Sequence, residues 1–163
     1  MTDFQEGLIK LISKVWKDCC VNFRKEPLLI VNFCLSDNME QKYKEIRPDH
    51  EEKFSKLIEH IIKCNALTIT PSQTSENFYV LIDLKYFVES LEKNNNWAGT
   101  VAHELTHIYD IIKYADLIGC HDYDTILDLY RHWMFNIWTE YHAKVIRHYC
   151  VNKYFFKDVY NKS

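Results

Sequence analysis

Between residues 3 and 24 the apolar side chains Phe4, Leu8, Leu11, Ile12, Val15, Cys19 and Phe23 recur at helical spacing, and Lys10, Lys14 and Lys17 fill the remaining arc. The pattern predicts an amphipathic first helix with a solvated basic face. It then changes character. Leu28-Leu29-Ile30-Val31-Asn32-Phe33-Cys34-Leu35 is short, almost wholly apolar and bounded by Pro27 and Ser36-Asp37-Asn38, which predicts a strand buried on both faces and central in a sheet. A polar stretch leads to Pro48, after which Asp49 is placed to cap a helix and Glu52 to close a capping box, with Phe54, Leu57, Ile58, Ile61 and Ile62 forming the apolar stripe. Two further strands are expected at 66–70 and 78–83, separated by a turn-rich loop. Strand signals end after residue 84. A helix is expected from Trp97 to about Ile118, stopped by Gly119, and another from about Thr125 to Tyr149. The plan is an α+β fold in which a small three-stranded mixed sheet, with one crossover helix, packs against long helices.

With 163 residues the chain suits a single domain spanning 1–163 and one active centre. An apolar fraction of 47% beside 26% charged residues is the balance of a globular protein. A net charge of -3 speaks against a nucleic-acid partner, because phosphate contacts need a basic surface. The start, Met1-Thr2-Asp3-Phe4-Gln5-Glu6, lacks the basic and apolar regions of a signal peptide, and no stretch approaches the ~20 apolar residues of a membrane span, so the expectation is a cytoplasmic protein. Cys19, Cys20, Cys34, Cys64, Cys120 and Cys150 are scattered without a C-x-x-C, which fits buried reduced thiols better than disulfides or a thiolate metal site.

Candidate chemistry is concentrated in His103-Glu104-Leu105-Thr106-His107. Four residues apart on a helix, two imidazoles leave the same face one turn apart and can bind one zinc ion. Glu104 then stands where a carboxylate can take a proton from a water acidified by the metal. Val101, Leu105, Ile108 and Ile112 form a core-facing stripe on the same helix, leaving the histidines on another face. A catalytic zinc takes a third protein ligand. Position 113 is Lys and position 110 is Asp, so the extended pattern with a third histidine six residues on is absent. His121, Asp122 and Asp124 in the following loop are candidates, and Glu140 on the next helix is preferred. Trp133, Ile137 and Ala143 lie on neighbouring turns, which suggests a buried face where an unpartnered carboxylate would cost several kcal/mol. Ala143 is small enough to let this helix approach the first. The competing reading of Glu140 is a surface acid paired with Lys144. Asp110 is expected to accept a hydrogen bond from a ligand imidazole or to orient a neighbouring group. Tyr141, His142, His148 and Tyr149 are conceivable oxyanion donors. The strand at 78–83 is expected either as an ordinary core strand or as an exposed edge that holds an extended peptide.

The run Ala102-His103-Glu104-Leu105-Thr106-His107-Ile108-Tyr109-Asp110, followed by Thr139-Glu140-Tyr141-His142-Ala143, resembles small zincins of the gluzincin type. It is most similar to the mitochondrial inner-membrane peptidase family that processes an ATP synthase subunit, and more loosely to the ImmA/IrrE peptidases. Residues 1–96 match only in the order of elements, and the helix-turn-helix of some relatives is missing. The resemblance implies a zincin-like fold, a Zn2+ cofactor on His103, His107 and Glu140, and Glu104 as general base. The expectation is a zinc endopeptidase acting on a peptide or protein substrate. Its competitor is a catalytically inactive, metal-stabilised protein-binding module, in which a structural site would more often be closed by four protein ligands.

Overall fold

The structure, a computed structural model, describes residues 3–23, 31–72, 76–128 and 131–160. Among them, seven α-helices surround one small mixed sheet. Its strands are β1 (Val31–Ser36), β2 (Ala66–Ile69) and β3 (Phe78–Asp83), in the order β1-β3-β2. β1 runs parallel to β3, with Val31 opposite Phe78, whereas β2 is antiparallel, with Thr68 opposite Val80. The central strand is therefore β3. This corrects the reading of the 28–35 run: β1 is a half-buried edge strand that begins at Val31, and residues 28–30 lie outside the described residues. An unbroken apolar run reports burial on two faces, but position within the ladder depends on pairing, and Phe78-Tyr79-Val80-Leu81-Ile82 is just as apolar. For the same reason β3 offers no free edge to a peptide.

Alternation along β3 separates two apolar layers. Phe78, Val80 and Ile82 face one cluster, in which α1 (Asp3–Phe23) contributes Leu8, Ile12 and Trp16. Leu81 faces the other, with Met39 and Tyr43 of α2 (Met39–Ile46) and Phe54 and Ile61 of α3 (Glu51–Ile61). In α1 the expected apolar positions Phe4, Val15, Cys19 and Phe23, with Cys20, lie outside the side chains described. Of the remaining cysteines, Cys34, Cys64 and Cys120 are half-buried free thiols and Cys150 is buried.

Two helices stand where the pattern predicted none. α2 lies in the polar stretch before Pro48: Asn38 Oδ1 caps it by accepting from Gln41 N at 3.0 Å, and only Met39 and Tyr43 are buried. Two apolar residues among charged ones are too few to show a period. α4 (Leu84–Lys93) begins directly where β3 ends, because Asp83 Oδ1 accepts from Tyr86 N at 2.6 Å and turns the chain. Asp49, in contrast, does not cap α3. A 3-10 turn at Pro48–His50 intervenes, and the Asp49 carboxylate takes a hydrogen bond from Arg47 Nε at 3.0 Å instead.

α5 (Asn96–Ile118) ends at Gly119, whose φ of 66° is the left-handed C-cap expected of it. The helix expected from Thr125 to Tyr149 is broken into α6 (Tyr123–Ile126), capped by Asp122, and α7 (Trp133–Tyr160). α5, whose Glu104 reaches Thr68 of β2, and α7 lie antiparallel, with Tyr114 and Phe135 stacked at 4.1 Å near one end. At the other end a Cβ on Gly99 would stand 3.0 Å from Arg147 Cγ and 3.1 Å from Arg147 O, with Val151 Cγ2 closer still. Alanine ordinarily improves a helix interior by about 1 kcal/mol over glycine. Here the overpacking outweighs that gain, so Gly99→Ala is expected to lower stability by about 1–3 kcal/mol in urea denaturation, and an unchanged or raised midpoint would show that the seam can open.

Candidate metal centre

α5 positions the motif by burying most of its circumference. Val101, Leu105 and Ile108 are at most 1% exposed, with Ile112 packed beside them, as the stripe predicted. His103, Glu104 and His107 emerge on the side that faces α7 and β2. His103 Nε2 and His107 Nε2 lie 3.1 Å apart, and Glu140 of α7 completes the group, with Oε1 3.4 Å from His107 Nε2 and Oε2 4.0 Å from His103 Nε2. Ligand atoms about 2.0–2.1 Å from a tetrahedral zinc stand about 3.3 Å from one another. Two of the three separations fall near this spacing and the His103–Glu140 one is wider, so the two-nitrogen, one-oxygen donor set could hold a divalent metal ion.

Glu140 reaches this place for a reason other than the one expected. Its side chain is 53% exposed, and Trp133 and Ile137 point to solvent rather than into a core. The same carboxylate also lies 3.9 Å from Lys144 Nζ, so the competing pairing with Lys144 is present beside the two histidines. What sets the position is the helix seam: Ala143 is fully buried and Gly99 has no side chain, which allows α7 to pass close to α5.

The charges support one another. The hydrogen bond with His107 holds the Glu140 carboxyl down at about 2, although its partial burial opposes the shift. Burial pushes His103 down to about 4, and the neighbouring His107 adds to this. His103 is thereby kept neutral, the form that ligates metal. Burial disfavours the charged form of His107 as well, but Glu140 outweighs it and raises the group. Glu104 is raised, first by burial, against the opposing effects of His107 and Thr68. A raised carboxylate is what a general base near neutral pH requires.

Of the two roles expected of Asp110, the geometry fits the second, orienting a neighbouring group. Asp110 Oδ2 accepts from Thr139 Oγ1 at 3.0 Å, and Thr139 Oγ1 in turn lies 3.0 Å from His107 Nδ1. The relay His107, Thr139, Asp110 fixes the proton on His107 Nδ1 and leaves Nε2 for a ligand. His142 Nδ1 contacts the same Asp110 carboxylate at 2.9 Å, which engages one of the conceivable oxyanion donors. Thr139 was not singled out from sequence, and the only signal was its place before Glu140. Thr68 was missed altogether: its backbone N–H and hydroxyl donate to Glu104 Oε2 at 2.8 and 2.9 Å. A contact between residues so distant in the chain leaves no local trace.

The four motif groups line a cleft of about 860 Å³, walled by Ala66, Leu67 and Thr68 of β2 on one side and by Ile137 and Tyr141 of α7 on the other. Compared with family models, with curated proteins and with solved structures, the chain matches none of them.

The loop candidates for a third ligand are occupied elsewhere. His121 Nε2 lies 4.0 Å from Asp116, and Asp122 caps α6. Asp124 meets Asp49 and His50 in a second convergent trio, but the buried Arg47 guanidinium sits among them. Arg47 Nη2 donates to Asp49 Oδ2 at 2.9 Å and to Asp124 Oδ2 at 3.0 Å, and contacts His50 Nε2, while Nη1 donates to Thr70 O at 3.2 Å. With its cation supplied by the protein, this trio is an ion-pair network that ties the turn before α3 to α6. Hydrogen bonds from Arg47 hold Asp49 below the carboxylate range; burial pushes Asp124 up but His50 and Arg47 outweigh it, so Asp124 is lowered as well. Groups lowered on folding stabilise above their unfolded pKa of about 3.9 and lose that contribution as pH falls through the folded value. Asp124→Asn is therefore expected to cost about 1–2 kcal/mol at pH 7 in urea denaturation, and the gap from wild type should close as pH falls below about 4; a gap constant with pH would remove the ion pair from the explanation.

Proposed function

We propose that the chain is a zinc-dependent endopeptidase on a zincin-like fold, hydrolysing a peptide bond in a peptide or protein substrate. The observation that carries the reading is the convergence of His103 Nε2, His107 Nε2 and the Glu140 carboxylate beside a half-buried Glu104 on the wall of an open cleft. His103, His107 and Glu140 would hold the metal. When bound there, zinc would supply Lewis acidity, polarising the scissile carbonyl and acidifying the attacking water.

The remaining work falls to the chain itself. Glu104 takes the water proton and returns it to the leaving amine, the ordinary exchange of a general base becoming a general acid. Thr68 donates twice to Oε2 and so aims the carboxylate, leaving Oε1 as the oxygen assigned to the proton. Thr139 and Asp110 keep His107 in one tautomer and one orientation. Tyr141 lines the cleft and is the donor best placed of the four considered to meet a developing oxyanion, since His142 is held by Asp110. The alternative, a metal-stabilised binding module, draws support from the same Thr68 bonds, because a carboxylate anchored to the sheet also serves a structural end.

Metal analysis and hydrolysis assays separate these readings. Glu104→Gln is expected to retain one zinc per chain and to lose hydrolysis, whereas Glu140→Ala should lose most of its metal; full zinc occupancy in Glu140→Ala would falsify the ligand assignment, and undiminished hydrolysis in Glu104→Gln the mechanism. The relay makes its own demand: Thr139→Val should weaken zinc binding about tenfold in a chelator competition, with Thr139→Ser close to wild type. Equal affinities in the Val and Ser variants would mean that the hydroxyl plays no part in holding His107.

A further inference from the structure

α7 presents three distinct surfaces. Ala143, Ile146 and Cys150 are buried in the core, and Glu140 turns towards the two histidines. The remaining arc carries Trp133, Met134, Ile137, Trp138, Tyr141 and Val145, all exposed and all on one side of the helix. Lys144 and His148 are the polar residues within it. With two tryptophans and a tyrosine, these side chains expose on the order of 600 Å² of largely apolar surface. That is the upper end of what an isolated monomer leaves uncovered, and such patches mark places where something docks.

The patch is continuous with the cleft, because Ile137 and Tyr141, on either side of Glu140 in the chain, belong to both. We propose that this face of α7 is the docking surface for an apolar, extended segment of the polypeptide substrate, held alongside the scissile region while Glu104 acts. The proposal rests on the peptidase reading and names its substrate class: unfolded or unassembled chains that expose Leu, Val, Ile or Phe. Met134 and the aromatic side chains suit a range of apolar partners rather than one fixed sequence.

The engaged edge of β2 and the sparse charge of the arc favour this occupant. The outer edge of β2, the other wall of the cleft, has its Thr68 N–H engaged by Glu104, and the Thr70 carbonyl just beyond it is engaged by Arg47. Main-chain pairing there is short, so a substrate needs side-chain grip from the opposite wall. A second copy seated on the patch would cover Ile137 and Tyr141 and with them the mouth of the cleft. An anionic lipid surface would meet only Lys144 among the charged residues of the arc, and Lys144 lies against Glu140 in a chain of net charge -3.

The test uses the zinc-loaded 163-residue chain carrying Glu104→Gln and two dye-labelled 14-residue peptides that differ only in a stretch of Leu, Val and Phe against Ser, Asn and Gly. Anisotropy should show the apolar peptide binding at least about tenfold tighter. The triple variant Met134→Ser, Ile137→Ser and Val145→Ser, added to the same background, should lose that preference with zinc content and thermal midpoint unchanged. Equal affinities for the two peptides overturn the proposal without the need for the variant. So does a concentration-dependent dimer in sedimentation that the triple variant abolishes, which would assign the face to a second copy, or flotation with anionic vesicles that the variant abolishes, which would assign it to lipid. Preferential binding of the apolar peptide by the Glu104→Gln protein, with no cleavage by zinc-loaded wild type, would overturn the peptidase reading beneath the proposal. Cleavage of both peptides by wild type with equal affinities would overturn the docking face alone.

Discussion

The close antiparallel approach of α5 and α7 is the constraint on which the site depends. Along the seam, Gly99 meets Arg147 and Val151, His103 and His107 meet Glu140, Asp110 meets Thr139 and His142, and Tyr114 stacks on Phe135. The register is fixed at both ends by different physics. At the Gly99 end it is steric, since no side chain fits between the helices. Around Asp110 it is electrostatic, since a carboxylate 3% exposed must find donors and finds them on α7. A slip of one residue along α7 would rotate the helix by about 100°, carrying Thr139 away from Asp110 and Glu140 away from the histidines together. The ligand geometry and the stability of the seam are therefore one property.

A second coupling, between Glu104 and Thr68, joins the helix to the sheet. The strand alternation that sends Phe78, Val80 and Ile82 towards α5 also sends Thr68 there, because Thr68 is paired with Val80. Its hydroxyl and its N–H converge on one oxygen of Glu104. This arrangement orients the carboxylate, and it also caps part of a sheet edge that would otherwise invite pairing with another chain. Of the two readings of the strand at 78–83, the ordinary core strand is the one found: that strand is central, and the strand that does border the cleft has some of its outward groups engaged.

The parts legible in the sequence share one trait: their signal is local. The i, i+4 histidines, the Val101, Leu105 and Ile108 stripe and the Gly119 stop can each be read within a few helical turns, and each stands where expected. The existence of the three strands was equally plain, whereas their order was not, because pairing between β1 and β3 joins residues nearly fifty apart. α2 and α4 were missed because their caps, Asn38 and Asp83, serve at once as the end of a loop or strand and as the start of a helix. Asp49 illustrates the converse: a residue with the right local spacing for a cap was taken by a stronger partner, the buried guanidinium of Arg47.

The sequence around Glu140 suggests a buried helix face, and the structure shows a largely exposed one. Apolar residues surround Glu140 in sequence on almost every side of α7, a pattern that ordinarily means a helix buried all round. One side of α7 is indeed buried, but Trp133, Ile137 and Tyr141 remain in solvent, with Tyr141 68% exposed. At roughly 25 cal/mol per Å², a patch of several hundred Å² represents on the order of 10 kcal/mol of unrealised burial, of which association and ordering would consume a large share. A net gain of a few kcal/mol suits the reversible docking of a polypeptide segment proposed for this face. The same residues that mimic a core in the sequence are thus better understood as the half of an interface whose other half is brought by a partner.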